Sequence, residues 1–112
     1  MGADYARAVK EHLVDLLIRD DELVALIEMI AASDHLLIEN VAVAPALQGQ
    51  GLGRRMMAHA EDVAHERGVG ELRLYTHHRF AENIRLYEAL GYAIESREPI
   101  PDGFKVNMRK RL

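Results

Sequence analysis

The sequence predicts a single α/β domain over residues 1–112, in which an antiparallel group of strands leads into a parallel βαβ unit. Three observations carry this prediction. An apolar run from Leu36 to Val43 has the composition of a buried strand, and Pro45 ends it. A glycine-rich turn then opens an amphipathic helix. A second strand pattern follows that helix, and a strand reached through a helical crossover lies parallel to the strand before it.

The composition is that of an ordinary globular protein and limits the classes of function. Of 112 residues, 49% are hydrophobic and 29% are charged, with a net charge of −4, so one packed core is expected and nucleic acid is a poor candidate partner. No apolar run approaches the length that spans a bilayer, so no membrane partner is expected. The absence of cysteine excludes disulfides and cysteine-based zinc sites. A cytoplasmic protein is the default expectation.

The first part of the chain is predicted to form a short helix followed by an antiparallel meander. Apolar residues close to helical spacing predict the helix from Ala3 to about Glu11. Two apolar runs separated by four charged residues, Leu13 to Ile18 and Leu23 to Ala32, predict a hairpin. The run from His35 to Ala44 then supplies the third strand.

The second part of the chain alternates helices with strands. The predicted elements are a helix from Gly51 to Arg67, a strand from Glu71 to Thr76, a helix from Ala81 to Leu90, and strands from Tyr92 to Arg97 and from Phe104 to Arg109. A glycine follows each helix, at Gly68 and Gly91, where a left-handed residue commonly ends a helix.

The turn Gln48-Gly49-Gln50-Gly51-Leu52-Gly53 predicts an anion site. Glycines let an anion approach the backbone, and the N–H groups and dipole of the following helix attract it. The spacing disfavours two familiar phosphate-binding loops, because no Lys and Ser/Thr follow Gly53 and because the glycines do not fall as Gly-x-Gly-x-x-Gly. A plain turn without ligand is the alternative, but its three glycines would cost conformational entropy for no gain.

Two segments resemble the GNAT superfamily of acyl-CoA N-acyltransferases. The pattern Gln48-x-x-Gly51-x-Gly53, after a Val-x-Val strand and a proline, resembles its pyrophosphate loop, and the stretch Asn83 to Tyr92 resembles its other signature segment. The resemblance covers essentially the whole chain. It implies a mixed, splayed β-sheet flanked by helices, with acetyl-CoA or another acyl-CoA as co-substrate and no metal. The implied acceptor is a primary amine of a small molecule or peptide.

The resemblance also implies which residues bind the coenzyme. Backbone groups of Val41 and Val43 would pair with the pantetheine arm, although a buried core strand would have the same composition. Asn83 matches an asparagine that contacts the coenzyme. The residues expected around the pyrophosphate are Gln48, Gly49, Gln50, Gly51, Leu52, Gly53 and Arg54. Among them, Gly49 stands at a position that the family pattern leaves free.

Two residues are candidates for the acid and base of acyl transfer. Tyr87 matches the phenol that reprotonates the coenzyme thiolate in this superfamily, and half-buried packing is its alternative role. Glu39 is the candidate base, because strand alternation places it on the same face as Val41, two positions later. Some family members have a glutamate two residues earlier, where this chain has Leu37. Glu28 in the neighbouring strand is a second candidate.

The six histidines do not form a predicted metal site. His77 and His78 are adjacent and point apart in a strand, and His59 and His65 are six residues apart on a helix, so neither pair has chelating spacing. One of the first pair could relay protons near the cleft.

The resemblance leaves out the start of the fold. GNAT domains usually begin with a strand and a longer helical segment, which help form the acceptor side of the cleft, and this chain has no residues for them. The alternative function is therefore a non-catalytic acyl-CoA-binding or interaction module, and a third possibility is a fragment of a longer protein. Without that first strand, Leu13 to Ile18 becomes an exposed sheet edge, which predicts a homodimer.

Overall fold

The computed structural model describes residues 11–112. The predicted helix from Ala3 to Glu11 lies outside them, apart from Glu11, which begins the first strand. The elements in chain order are β1 (Glu11–Arg19), β2 (Glu22–Ala31), β3 (Leu36–Val43), a 3-10 turn (Pro45–Leu47), α1 (Leu52–Glu66), β4 (Glu71–His77), α2 (Ala81–Ala89), β5 (Ala93–Ile100) and β6 (Gly103–Arg111). The strands and helices predicted from Leu13 onward are confirmed, with ends that differ by a few residues.

The six strands form one mixed sheet in the order β1-β2-β3-β4-β6-β5. The pairs β1–β2, β2–β3, β4–β6 and β5–β6 are antiparallel, and β3–β4 is parallel. The predicted meander and βαβ unit are therefore both confirmed. Because α1 joins β3 to β4, its first turn follows the end of β3.

Strands β3 and β4 pair over a short distance and then separate. Their register runs only from the Leu36–Leu72 pair to the Ile38–Leu74 pair. On its other side β3 stays paired with β2 as far as Val43. The backbone of β3 beyond Ile38 is therefore open toward β4, which confirms the splayed sheet.

The core lies between α1 and one face of the sheet. Its centre is fully buried, with Ile27, Met29, Leu36 and Leu72 each at 0% exposure. The side of α1 that meets these strands carries Met56, Met57, Ala60 and Ala64, all buried. The two alanines let the helix approach the sheet closely, and this packing holds the helix start beside the splayed strands.

The opposite face of the sheet is uncovered at its β1 edge among the described residues. Val14, Leu16 and Ile18 alternate along β1 and are 50%, 54% and 59% exposed. Strand β1 pairs only with β2 within residues 11–112. No helix in this part of the chain is long and apolar enough to cross a membrane.

Candidate functional site

Two glycines of the turn before α1 adopt a left-handed backbone conformation. Gly49 has φ +85° and Gly51 has φ +81°. A side chain at either position would be strained by about 1–2 kcal/mol. Gly49, which the family pattern leaves free, is therefore required by the local conformation of this loop.

The turn presents unpaired N–H groups at the start of α1. Gly51 is the N-cap and makes no side-chain capping bond, and the first helical hydrogen bond runs from the Arg55 N–H to the Gly51 carbonyl at 3.1 Å. The N–H groups of Leu52, Gly53 and Arg54 thus have no partner within the helix. The first turn contains no acidic residue and two exposed arginines, so positive charge is concentrated at the positive end of the helix dipole. This arrangement suits an anion.

Gly53 has a different reason to be glycine. It lies inside α1 with ordinary helical geometry, and a Cβ built on it meets no atom within 4 Å. Packing within the described chain does not demand a glycine there. The open space adjoins the loop, so the missing side chain leaves room for a ligand to approach the backbone.

A cavity of about 330 Å³ brings half of the predicted coenzyme residues together with Tyr87. It lies between the open part of β3, the start of α1 and the helix α2. Its lining residues are Val41, Val43, Gln48, Gly53, Met57, Asn83, Leu86 and Tyr87. The Gln48 side chain donates a hydrogen bond to the Val43 carbonyl at 3.3 Å, which ties the loop to the end of β3.

Two lining residues were not predicted from the sequence. Met57 lies one helical turn after Gly53, and Leu86 lies one turn after Asn83, so helical spacing from the predicted residues was the signal that could have found them. Conversely, the predicted residues Gly49, Gln50, Gly51, Leu52 and Arg54 do not line this cavity. The Leu52 side chain is buried in the core at 5% exposure, so only its N–H group is available.

Tyr87 is half-buried at the wall of the cavity. The phenol is protonated at neutral pH, as tyrosine ordinarily is, and burial raises its pKa further, so the hydroxyl has a proton to donate. Its ring packs edge-on against Tyr92, with 6.1 Å between ring centroids. The residue therefore combines the packing role with a position from which it can act as an acid.

A second, smaller cavity of about 180 Å³ occupies the gap between β3 and β4. It shares Val41, Asn83 and Tyr87 with the first cavity. Its other lining residues are Ile38, Glu39, Asn40, Leu74, Tyr75, Thr76 and Phe80. The two cavities thus meet at Tyr87, one leading to the glycine loop and the other to the opposite side of the sheet.

The predicted orientation of Glu39 is wrong. A β-bulge interrupts the β2–β3 register, since Met29 pairs with Ile38 and Glu28 pairs with Asn40, which leaves Glu39 as the extra residue. The Val41 side chain packs against the core. Tyr75 follows buried Leu74 on β4 and therefore projects from the opposite face of the sheet. Glu39 accepts a hydrogen bond from the Tyr75 hydroxyl, so its side chain lies on that opposite face. Glu39 therefore borders the smaller cavity and is absent from the larger one.

The other candidate base, Glu28, lines neither of these two cavities. Its carboxylate accepts a hydrogen bond from the Asn40 side chain at 3.3 Å and lies 3.4 Å from the His12 ring. Glu28 is thus engaged on the uncovered face, away from Tyr87.

The histidines are also outside the two cavities. His77 and His78 do not point apart as predicted, because β4 ends at His77 and the two rings stack with 4.6 Å between their centroids. His77 also lies 3.5 Å from the Asp102 carboxylate. His59 pairs with Asp15 at 2.6 Å in a separate concavity of about 360 Å³ between β1 and α1. Within residues 11–112 no group of three or more His, Cys, Asp or Glu side chains could hold a metal ion.

Comparison with protein families matches residues 3–92 to the family described as the acetyltransferase (GNAT) family. Streptothricin acetyltransferase of Streptomyces lavendulae is 43% identical over 63 residues, which are 56% of this chain and 33% of that protein. The ribosomal protein bS18-alanine N-acetyltransferase of Escherichia coli K12 is 42% identical over 59 residues, 53% of this chain and 40% of that protein. The matches therefore span less than half the length of these relatives.

Solved structures share the fold over nearly the whole chain. The ribosomal-protein-S18-alanine N-acetyltransferase from Escherichia coli superposes with a TM-score of 0.82 and 28% identity over 98% of this chain and 75% of that one. A GNAT family acetyltransferase from Elizabethkingia anophelis with acetyl-CoA bound has a TM-score of 0.80 over 90% of this chain and 76% of its own. At 16% identity, that second likeness concerns the fold alone.

Proposed function

Because the chain belongs to the GNAT family of acetyltransferases, we propose that it transfers an acetyl or other acyl group from acyl-CoA to an amine. The observation that supports this most directly is the meeting of two cavities at Tyr87, between a glycine loop suited to phosphate and a carboxylate suited to an amine. The larger cavity adjoins the glycine loop through Gln48 and Gly53, and the smaller one is bordered by the Glu39 carboxylate.

The larger cavity would take the coenzyme. The free N–H groups after Gly51 and the charge of Arg54 would bind the pyrophosphate. The backbone of Val41 and Val43, open toward β4, would pair with the amides of the pantetheine arm. An N–H group of the same strand segment would polarise the thioester carbonyl. When bound, acyl-CoA supplies the activated acyl group.

The smaller cavity would admit the amine from the opposite side of the sheet. Glu39 takes the proton that an ammonium group must lose before its nitrogen can attack the carbonyl carbon. As the new C–N bond forms, the C–S bond breaks and Tyr87 donates its proton to the departing thiolate. The acylated nitrogen then loses its second proton, which restores the phenol of Tyr87 through solvent. Glu39 releases the first proton to solvent, so the net reaction releases one proton.

The acceptor we propose is a primary amine of a small molecule or peptide. Two similar proteins carry the names of different acceptors, streptothricin and a ribosomal-protein alanine, so the relatives leave the acceptor class open. The carboxylate at the smaller cavity favours a cationic amine. The non-catalytic alternative has less support, because the relatives carry the names of acetyltransferases. The cytoplasmic location stays a prediction.

We also propose that the protein forms a homodimer through β1. The exposed side chains of Val14, Leu16 and Ile18 form an apolar ridge along β1. Within the described residues, β1 pairs with another strand on one side only. An isologous contact between two copies would remove both ridges from water.

The transferase proposal is tested by following thiol release from acetyl-CoA with a panel of amines and peptides. Acceptor-dependent release is expected, together with coenzyme binding by calorimetry. The variant Gly51→Asp places a carboxylate in the anion site and should lose binding. Gly68→Asp, with φ +71° at the other end of α1, imposes similar backbone strain and should keep it. Binding without release for any acceptor would favour the non-catalytic alternative.

A further inference from the structure

The bulge in β3 gives Glu39 a specific partner. Tyr75 on β4 donates a hydrogen bond from its hydroxyl to Oε2 of Glu39 at 2.7 Å. The two residues are separated by 36 positions in the chain and come together only because the strands diverge beyond Ile38. Glu39 is the extra residue of the bulge, so it has no partner in the β2 register.

Tyr75 is itself held in place by a second contact. Lys105 on β6 lies over its ring, with Nζ 4.8 Å from the centroid. Lys105 is only loosely paired with Glu98, at 4.0 Å, so its ammonium group is free to stay on the ring. The pKa of Tyr75 is raised, mainly by the hydrogen bond to Glu39 and to a smaller extent by burial. The phenol therefore remains a donor.

The remaining oxygen of Glu39 is available for a substrate. No described residue donates a hydrogen bond to Oε1, and the carboxylate borders the cavity that reaches Tyr87. A carboxylate with one oxygen anchored and the other open is restricted in rotamer and presents a defined acceptor. Because this hydrogen bond is exposed to solvent, we expect its loss to change folding stability little.

We propose that Tyr75 is a positioning residue that aims Glu39 at the amine acceptor. This inference rests on the proposed transferase function and specifies how its acceptor side works. Glu39 Oε1 accepts the ammonium proton, while Tyr75 keeps its own proton and fixes Oε2. Tyr75 thus contributes to turnover through Glu39 and not by contact with the coenzyme.

A double-mutant cycle tests this coupling. Tyr75→Phe removes only the hydroxyl and should lower turnover about tenfold at saturating coenzyme, on the scale of one hydrogen bond to a charged group. Glu39→Gln should lower it by roughly 10²-fold. If Tyr75 acts through Glu39, adding Tyr75→Phe to Glu39→Gln should cost little more. Coenzyme affinity by calorimetry and the melting temperature should be unchanged in all three variants.

Ser96→Ala is the matched control, because it also removes a hydroxyl that takes part in a hydrogen bond. The Ser96 hydroxyl accepts from the Asn107 side chain at 3.0 Å, and Ser96 lines neither cavity. It should leave turnover unchanged. Full additivity of the two site substitutions, or normal turnover in Tyr75→Phe, would overturn the inference while leaving the transferase function intact. Absence of acceptor-dependent thiol release from the unmodified protein would overturn both.

Discussion

At the scale of single residues, two neighbouring tyrosines have contrasting surroundings. Tyr87 faces both cavities, whereas Tyr92 is buried at 3% exposure with no hydrogen-bond partner for its hydroxyl among the described residues. The same functional group is thus placed for chemistry in one residue and isolated from it in the other. Removing each hydroxyl should have different consequences.

Tyr87→Phe should lower turnover by roughly 10²-fold, the scale of a single acid or base group. The substitution keeps the ring and its contact with Tyr92, so coenzyme affinity and thermal stability should barely change. Steady-state thiol release and calorimetry on the same preparations check this. Unchanged turnover across the pH range would leave Tyr87 with a packing role only.

Tyr92→Phe should leave turnover unchanged and hold or raise the melting temperature, because a buried hydroxyl without a partner carries a desolvation cost of about 1–3 kcal/mol.

Burial, with smaller contributions from Glu61 and Tyr87, raises the pKa of Tyr92 above its ordinary value of 10.0. Above pH 10 the unfolded chain releases this proton and the folded protein retains it, so the free energy of unfolding falls as pH rises. Denaturant titrations should show a smaller alkaline loss in the variant.

At the scale of elements, the glycine loop and the first turn of α1 combine a folding requirement with the binding role that we propose. Gly49 and Gly51 supply left-handed backbone, and Gly53 supplies space. These two requirements can be separated experimentally because Gly53 has ordinary helical geometry.

Gly53→Ala should raise helix stability by up to ~1 kcal/mol and yet weaken coenzyme binding, since the new methyl group projects into open space at the cavity wall. Gly70→Ala is the matched control, because its Cβ also meets no atom within 4 Å and the residue lies outside the cavity. Melting curves and coenzyme calorimetry on both variants provide the measurement. Equal affinities would show that this glycine does not serve the ligand.

At the scale of the whole molecule, the uncovered sheet face connects oligomeric state to the acceptor cavity. The apolar ridge of β1 and the Glu39–Tyr75 pair project from the same face, separated by β2. A second copy seated on β1 would therefore lie beside the path of the amine and could form part of its wall.

Leu16→Lys should convert the proposed dimer to a monomer, because it places a charge in the middle of the ridge. Light scattering at micromolar concentration should then give a mass near 12.6 kDa, about half that of the unmodified protein. Phe104→Lys is the control, since Phe104 is an apolar residue that is 46% exposed on β6, four positions away from β1 in the strand order. An unmodified protein that stays monomeric on concentration would reject the dimer.

Much of the fold followed from the sequence because its signals are local. Apolar periodicity predicted the strands and helices, and Pro45 and the glycines predicted their limits. The glycine-loop motif pointed to Gln48 and Gly53, which line the larger cavity, whereas the other five residues named from it do not. The order and type of the elements were therefore within reach of the sequence, and the coenzyme-binding residues stay a prediction.

Only the tertiary structure decided the cavity that we propose for the acceptor. Alternation predicted that Glu39 shares a face with Val41, but the bulge adds one residue to the strand and reverses the orientation. A bulge is a property of how two strands pair, and the residue pattern within one strand does not predict it. Tyr75 enters the site for the same reason, because its contact with Glu39 depends on the separation of β3 from β4 and joins residues distant in the chain.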